Sequence, residues 1–125
     1  RLDDHDLLHK LAERFVERLP DAGMNPVGMT NVAWGLATAK AKPDAHVLKS
    51  IGNAAVVMLP QFQLQEVSIT AWAFSRLGVR HDALFAALVN HLNEPHTLNQ
   101  PVNRQGIANM LWAFERQKAM SGLSE

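Results

Sequence analysis

Asn31-Val32-Ala33-Trp34-Gly35-Leu36-Ala37, Ile69-Thr70-Ala71-Trp72-Ala73-Phe74-Ser75 and Asn109-Met110-Leu111-Trp112-Ala113-Phe114-Glu115 are three forms of one phrase, and they hold all three tryptophans of the chain. The tryptophans stand 38 and 40 residues apart. Recurrence at roughly 20 to 50 residues marks stacked repeats, each burying its apolar face against its neighbours. The chain reads as an array. Arrays of this kind expose long surfaces built from equivalent positions and usually work by binding rather than by catalysis.

Working outward from each tryptophan, an aspartate follows ten residues on, Asp44 after Trp34 and Asp82 after Trp72. Aspartate is a good N-cap. Behind Asp44 come Val47, Leu48, Ile51 and Ala55, and behind Asp82 come Phe85, Leu88, Val89 and Leu92, spaced as one face of a helix requires. Asp4 precedes Leu7, Leu8, Leu11 and Phe15 in the same way, so the chain begins with the second helix of a repeat. Pro20, Pro60 and Pro101 end or follow these second helices, and Asn25-Pro26 sets a cap with proline in the first turn of the next.

The pattern predicts helices over 4–19, 26–40, 44–59, 63–78, 82–93 and 103–119, and no strand. The expected fold is all-α: an α-solenoid of about 38-residue helical hairpins, roughly three repeats and about six helices. Residues 4–24 would close one repeat, 25–62 and 63–102 form two more, and 103–125 open a further one. On this reading residues 1–125 are a single array cut from a longer chain.

At about 100° per residue, three positions of each first helix fall on one side and are expected to be core. They are Met29, Val67 and Ile107, then Ala33, Ala71 and Leu111, then Leu36, Phe74 and Phe114. On the other side fall Val27, Asn31 and Thr38; Gln65, Ile69 and Arg76; and Gln105, Asn109 and Arg116. Tryptophan sits at the edge of this second, mostly polar face. An aromatic at fixed phase is more often a wedge between repeats than a stacking platform, so Trp34 and Trp72 are expected to be packed and Trp112 to be partly bare.

Composition narrows the classes of function. Hydrophobic residues make up 47% of the chain and charged residues 19%, which is globular rather than disordered, and order is expected as far as Ser121. Twelve basic and twelve acidic residues cancel, so the chain as a whole lacks the basic signature of most nucleic-acid binders. Without cysteine there is no disulfide framework, thiolate metal site or thiol nucleophile, which fits a reducing compartment. No apolar run is long enough to span a membrane, so no membrane partner is expected.

Gly106-Ile107-Ala108-Asn109-Met110-Leu111-Trp112-Ala113-Phe114, and equally Trp72-Ala73-Phe74-Ser75-Arg76-Leu77-Gly78, resemble the octotricopeptide repeat of green-algal organelle proteins. The heptatricopeptide repeats of apicomplexan parasites are similar. The likeness covers residues 25–119, although Ala39-Lys40-Ala41-Lys42 stands where the family has Lys-Leu-Gly and Ile69 where it has asparagine. What the resemblance implies is binding of single-stranded RNA or ribosomal RNA in a mitochondrion or chloroplast, in RNA processing, stability or translation, or as an organellar ribosome component. Modular RNA readers place two or three polar side chains per repeat on one groove. Asn31, Thr38, Gln65, Ser68, Arg76, Gln105, Asn109 and Arg116 are the candidates for that work. Asn31 and Asn109 have a second reading, as bonds to the backbone of a neighbouring repeat.

The rival expectation is a HEAT- or armadillo-like scaffold, of a kind also found in bacterial effectors, that takes a protein partner on its concave face. Balanced charge favours it. No catalytic motif, phosphate loop or buried carboxylate pair appears, so neither an enzyme nor a small-molecule substrate or cofactor is expected. His5 and His9 have the spacing of two metal ligands but no third ligand committed to them, and His46, His81, His91 and His96 read as solvated caps and loops. Lys40, Lys42 and Lys49, with Arg76 and Arg80, form small basic clusters at the ends of the repeats.

Overall fold

The computed structural model describes residues 4–19 and 25–122; Pro20 and the rest of 20–24, which close the first predicted repeat, and 123–125, at the end of the last, lie outside the described residues. Seven α-helices form among the described residues, and no strand: α1 His5–Glu17, α2 Pro26–Ala39, α3 Ala45–Met58, α4 Leu64–Arg76, α5 Asp82–Leu92, α6 Pro95–Leu98 and α7 Arg104–Gly122. A 3-10 turn, Leu59–Gln61, links α3 to α4. All six predicted segments are present, and α6 is a one-turn addition between α5 and α7 that takes up part of the longer second interval.

Local chemistry places the helix starts. Asn25 Oδ1 accepts from the Gly28 amide at 2.9 Å ahead of Pro26, Asn103 Oδ1 accepts from the Gly106 amide at 2.7 Å, and Glu66 accepts from the Gln63 amide at 2.7 Å. These three N-caps each stand nine residues before a tryptophan. Asp4 caps α1 through the Leu7 amide at 3.3 Å. The cap of α5 differs from expectation. It is His81, whose Nδ1 accepts from the Leu84 amide at 3.1 Å, and Asp82 is the first helical residue. The imidazole wins the cap because it is also buried edge-on against Phe74, with ring centroids 6.1 Å apart.

The ends of α2 and α4 follow from one backbone conformation. Lys40 at φ 54° and Gly78 at φ +72° stand six residues after Trp34 and Trp72 and reverse the chain in the left-handed region. The next amides, of Ala41 and Val79, return to the carbonyls of Leu36 and Phe74, each at 2.9 Å. Glycine adopts this conformation freely, whereas lysine resists it because of its Cβ.

The helices pack in two rows. In one, α2 lies against α4 and α4 against α7; in the other, α1 lies against α3 and α3 against α5. The buried core runs between the rows and includes Met29, Leu36, Val47, Ile51, Val67, Phe74, Leu84 and Leu88. Ile107 and Leu111, expected to be core, are exposed. Their counterparts Met29, Ala33, Val67 and Ala71 in α2 and α4 are buried, and among the described residues no helix follows α7.

The equivalence of Lys40 and Gly78 gives a test by urea denaturation. Lys40→Gly is expected to raise stability by about 1 kcal/mol, and Gly78→Ala to lower it by about the same amount.

Candidate nucleic-acid interface

The straps between α4 and α7 shape the exposed face of the first row. Ser68 Oγ donates to the Gly106 carbonyl at 2.9 Å, and Ser75 Oγ donates to the Ala113 carbonyl at 3.1 Å. Both bonds span 38 residues. Two hydroxyls seven residues apart on one helix therefore meet two carbonyls seven apart on the other, which makes α4 and α7 parallel and fixes their register. Gln117 Nε2 adds bonds to Ser75 Oγ at 3.3 Å and to the Val79 carbonyl at 2.7 Å, and Arg116 Nε donates to the Ser75 carbonyl at 2.7 Å.

Between α2 and α4 the contact is a seam of buried alanines, Ala33, Ala37 and Ala73, closed by half-buried Trp72 and Leu77. Thr30, buried beside this seam, spends its hydroxyl on its own helix, at the Pro26 and Val27 carbonyls. Small side chains allow close approach there without a polar tie.

Above these junctions opens a groove of about 230 Å³ that crosses all three helices. Trp34 reaches it from α2; Gln65, Ser68, Ile69 and Trp72 from α4; and Asn103, Gln105, Gly106 and Asn109 from α7 and its cap. Every lining side chain is uncharged. Gln105 Nε2 donates to Asn109 Oδ1 at 2.9 Å, which orients that pair of amides while leaving further donor and acceptor positions on both.

The groove gathers four of the eight candidate residues, Gln65, Ser68, Gln105 and Asn109. Ser68 is placed differently from expectation: it is buried and its hydroxyl is committed to α7, so it builds the floor instead of presenting a free donor. Asn31, Thr38 and Arg76 are exposed outside the groove. Arg116 is partly committed, through its bond to Ser75 and by lying 5.9 Å from the Trp112 ring centre, where a second shallow cavity of about 480 Å³ opens. Trp34, expected to be packed, is 52% exposed. Trp72 is covered by the alanines of the preceding helix in its row, and among the described residues α2 has no such neighbour on its outer flank.

The basic clusters separate. Lys42, Lys49 and Arg80 line one cavity of about 490 Å³ with His81, while Lys40 and Arg76 do not reach it. Asp82 claims Arg80 there, through bonds of 3.0 and 2.8 Å, and the guanidinium holds the Asp82 carboxyl below its ordinary range. Of the four histidines expected to be solvated, His46 and His96 are exposed and the other two are not. His81 is buried, and half-buried His91 donates to the Phe62 carbonyl at 2.9 Å. His5 donates to the Ala39 carbonyl at 2.9 Å, which ties α1 to the end of α2.

Comparison with known protein families, curated proteins and solved structures finds no match to this chain.

The straps are open to mutation. Ser75→Ala removes a buried hydroxyl that donates once and accepts once, and is expected to cost about 1 to 2 kcal/mol in urea denaturation. Gln105→Ala, on the exposed rim, is expected to stay within about 0.5 kcal/mol of the parent.

Proposed function

We propose that the chain is a segment of an α-solenoid of octotricopeptide-like helical hairpins, and that it binds single-stranded RNA with unpaired bases seated in the groove over α2, α4 and α7. The observation that carries this reading is the meeting of two tryptophans, Trp34 and Trp72, with the amides of Gln65, Asn103, Gln105 and Asn109 in one uncharged recess. Aromatic faces accept any base by stacking, worth about 1 to 3 kcal/mol per base, while amides supply donors and acceptors for base edges. Arg76 and Arg116 stand four residues beyond Trp72 and Trp112, where a strand passing along the row would bring its phosphates. The family likeness of the tryptophan phrases supports the same reading, and with it a place in organellar RNA metabolism or on an organellar ribosome.

A polypeptide in the same groove is the second reading. The equal numbers of acidic and basic residues favour it, since RNA binders usually gain affinity by neutralising phosphates.

Fluorescence anisotropy with labelled single-stranded RNAs separates the two. Binding is expected with a shallow salt dependence, a log–log slope of about −1 to −2, because few phosphates are neutralised. Trp34→Ala is expected to weaken it about tenfold through lost stacking. A Trp34→Ala, Gln65→Ala, Gln105→Ala variant that keeps its helical circular dichroism and binds RNA as the parent does removes the groove from consideration. Absence of RNA binding in the parent leaves the polypeptide reading.

A further inference from the structure

A chain whose charges cancel gathers three cations at one place in its second row. Lys42, Lys49 and Arg80 line the cavity of about 490 Å³ between the start of α3 and the turn that leads into α5, and Leu48, Val79 and Ala83 supply apolar lining. Because α3 lies between α1 and α5, this recess belongs to the interior of the row and not to either end of the array. One wall is fixed in place. His81 lies edge-on to Phe74 and over Gly52, where a Cβ would run into the ring, and its Nδ1 is held by the Leu84 amide. Small-molecule sites are of this kind: preformed recesses of roughly 300 to 1,000 Å³, apolar in lining, with a few placed polar groups.

Charge decides the class of occupant. Asp82 is the one carboxylate in the lining, and it is taken by Arg80, at 3.0 and 2.8 Å, and by the Ser121 hydroxyl at 3.2 Å. Arg80 and Asp82 cancel, whereas Lys42 and Lys49 have no ion-pair partner among the described residues, so two positive charges stand uncompensated at the cavity. Asp44 does not offset them: it lies outside the lining, and its side chain makes no cap bond to α3, which leaves the amide of Ala45, a lining residue, without an acceptor. A phosphate monoester carries about −1.5 to −2 at pH 7, which matches this balance, while a carboxylate or an internal phosphodiester carries a single charge.

We infer that the recess binds a phosphate monoester carried on an apolar or aromatic body the size of a nucleoside. The phosphate sits between Lys42 and Lys49, the body lies against Leu48, Val79 and Ala83, and Asn53, one turn beyond Lys49, offers its amide to a hydroxyl. A free nucleotide and the 5′ end of an RNA share this chemistry. The site is separate from the groove over α2, α4 and α7, so it stands or falls independently of the proposed function.

Amide-resolved NMR of the 125-residue chain tests this, with adenosine 5′-monophosphate as the probe. Shifts are expected at residues 42–53 and 78–83, with a dissociation constant of about 0.1 to 1 mM. Lys42→Gln and Lys49→Gln alter exposed side chains, leave helical circular dichroism unchanged, and are each expected to weaken binding about tenfold through loss of one charged contact. Asp82→Asn releases Arg80 and is expected to tighten binding several-fold, an effect that damage to the fold does not produce. Adenosine without phosphate is expected to bind at least about tenfold more weakly. A 5′-phosphorylated tetranucleotide that shifts the same amides more tightly than the mononucleotide assigns the phosphate to an RNA end; weaker binding assigns it to a free nucleotide. Absence of shifts at these residues overturns the inference. So do lysine variants that bind as the parent does, adenosine that binds as tightly as its monophosphate, or an unphosphorylated tetranucleotide that depends on Lys42 and Lys49 to the same degree.

Discussion

The hydroxyls of Ser68 and Ser75 fix what the rest of the exposed face depends on, the register of α4 against α7. A serine in mid-helix ordinarily spends its hydroxyl on its own backbone or on water; here both reach across to carbonyls of the neighbouring helix. Gly106 makes the first of these possible. A Cβ there would run into the Val102 side chain and lie 3.3 Å from Ser68 Oγ, so both side chains would have to shift to admit it. With α7 held in this register, Gln105 and Asn109 come beside Gln65 and Ile69, and the groove has two walls. The α2–α4 junction obtains its spacing differently, from alanines that carry no directional bond, and apolar contact alone specifies register less sharply than paired polar groups do.

Histidine does comparable work in the second row. His5, His81 and His91 each stand on a helix of that row, and each ring meets a backbone carbonyl outside its own helix, Ala39, Lys49 and Phe62. The Ala39 carbonyl is the last of α2 and the Phe62 carbonyl follows the 3-10 turn, where acceptors lack intrahelical partners, whereas Lys49 lies inside α3. An imidazole serves both sides of such a site: its apolar ring packs against neighbours, as His81 does on Phe74 and over Gly52, while its nitrogens bond in two directions. His81 and His91, which read as solvated caps and loops in the sequence, and His5, which read as one of a metal-spaced pair, are fasteners between helices.

Much of the helical plan was legible in the sequence because apolar spacing and capping residues are local signals. The six long helices fall within the predicted segments to a residue or a few, and the caps Asn25 and Asp4 were visible as residue types. What single-helix projection does not carry is the identity of the neighbour. Ser68 lies between the core stripe and the polar face, and only the arrival of α7, 38 residues later, decides that it is buried. Trp34 and Trp72 occupy the same phase and differ because one has a preceding helix in its row and the other does not. Ile107 and Leu111 are core by pattern and bare in the structure for the corresponding reason. The signal for His81 as a cap was weak, since histidine ranks low among N-caps and the adjacent aspartate ranks high; burial against Phe74 reversed that order.

The groove holds no charge, and that has a consequence for how it would discriminate among ligands. A phosphate attracted by lysine or arginine gains energy over a broad range of positions, because Coulomb attraction falls off slowly and lysine side chains are flexible. Stacking and amide hydrogen bonds reward only close, well-angled contact. A site made of Trp34, Trp72 and four amides, on a chain of net charge zero, must therefore rely on the placement of its walls rather than on accumulated charge. Placement across three helices is no better than the least constrained junction between them. The hydroxyl straps at α4–α7 and the close alanine seam at α2–α4 are where a groove of this composition needs rigidity, and they lie directly beneath it.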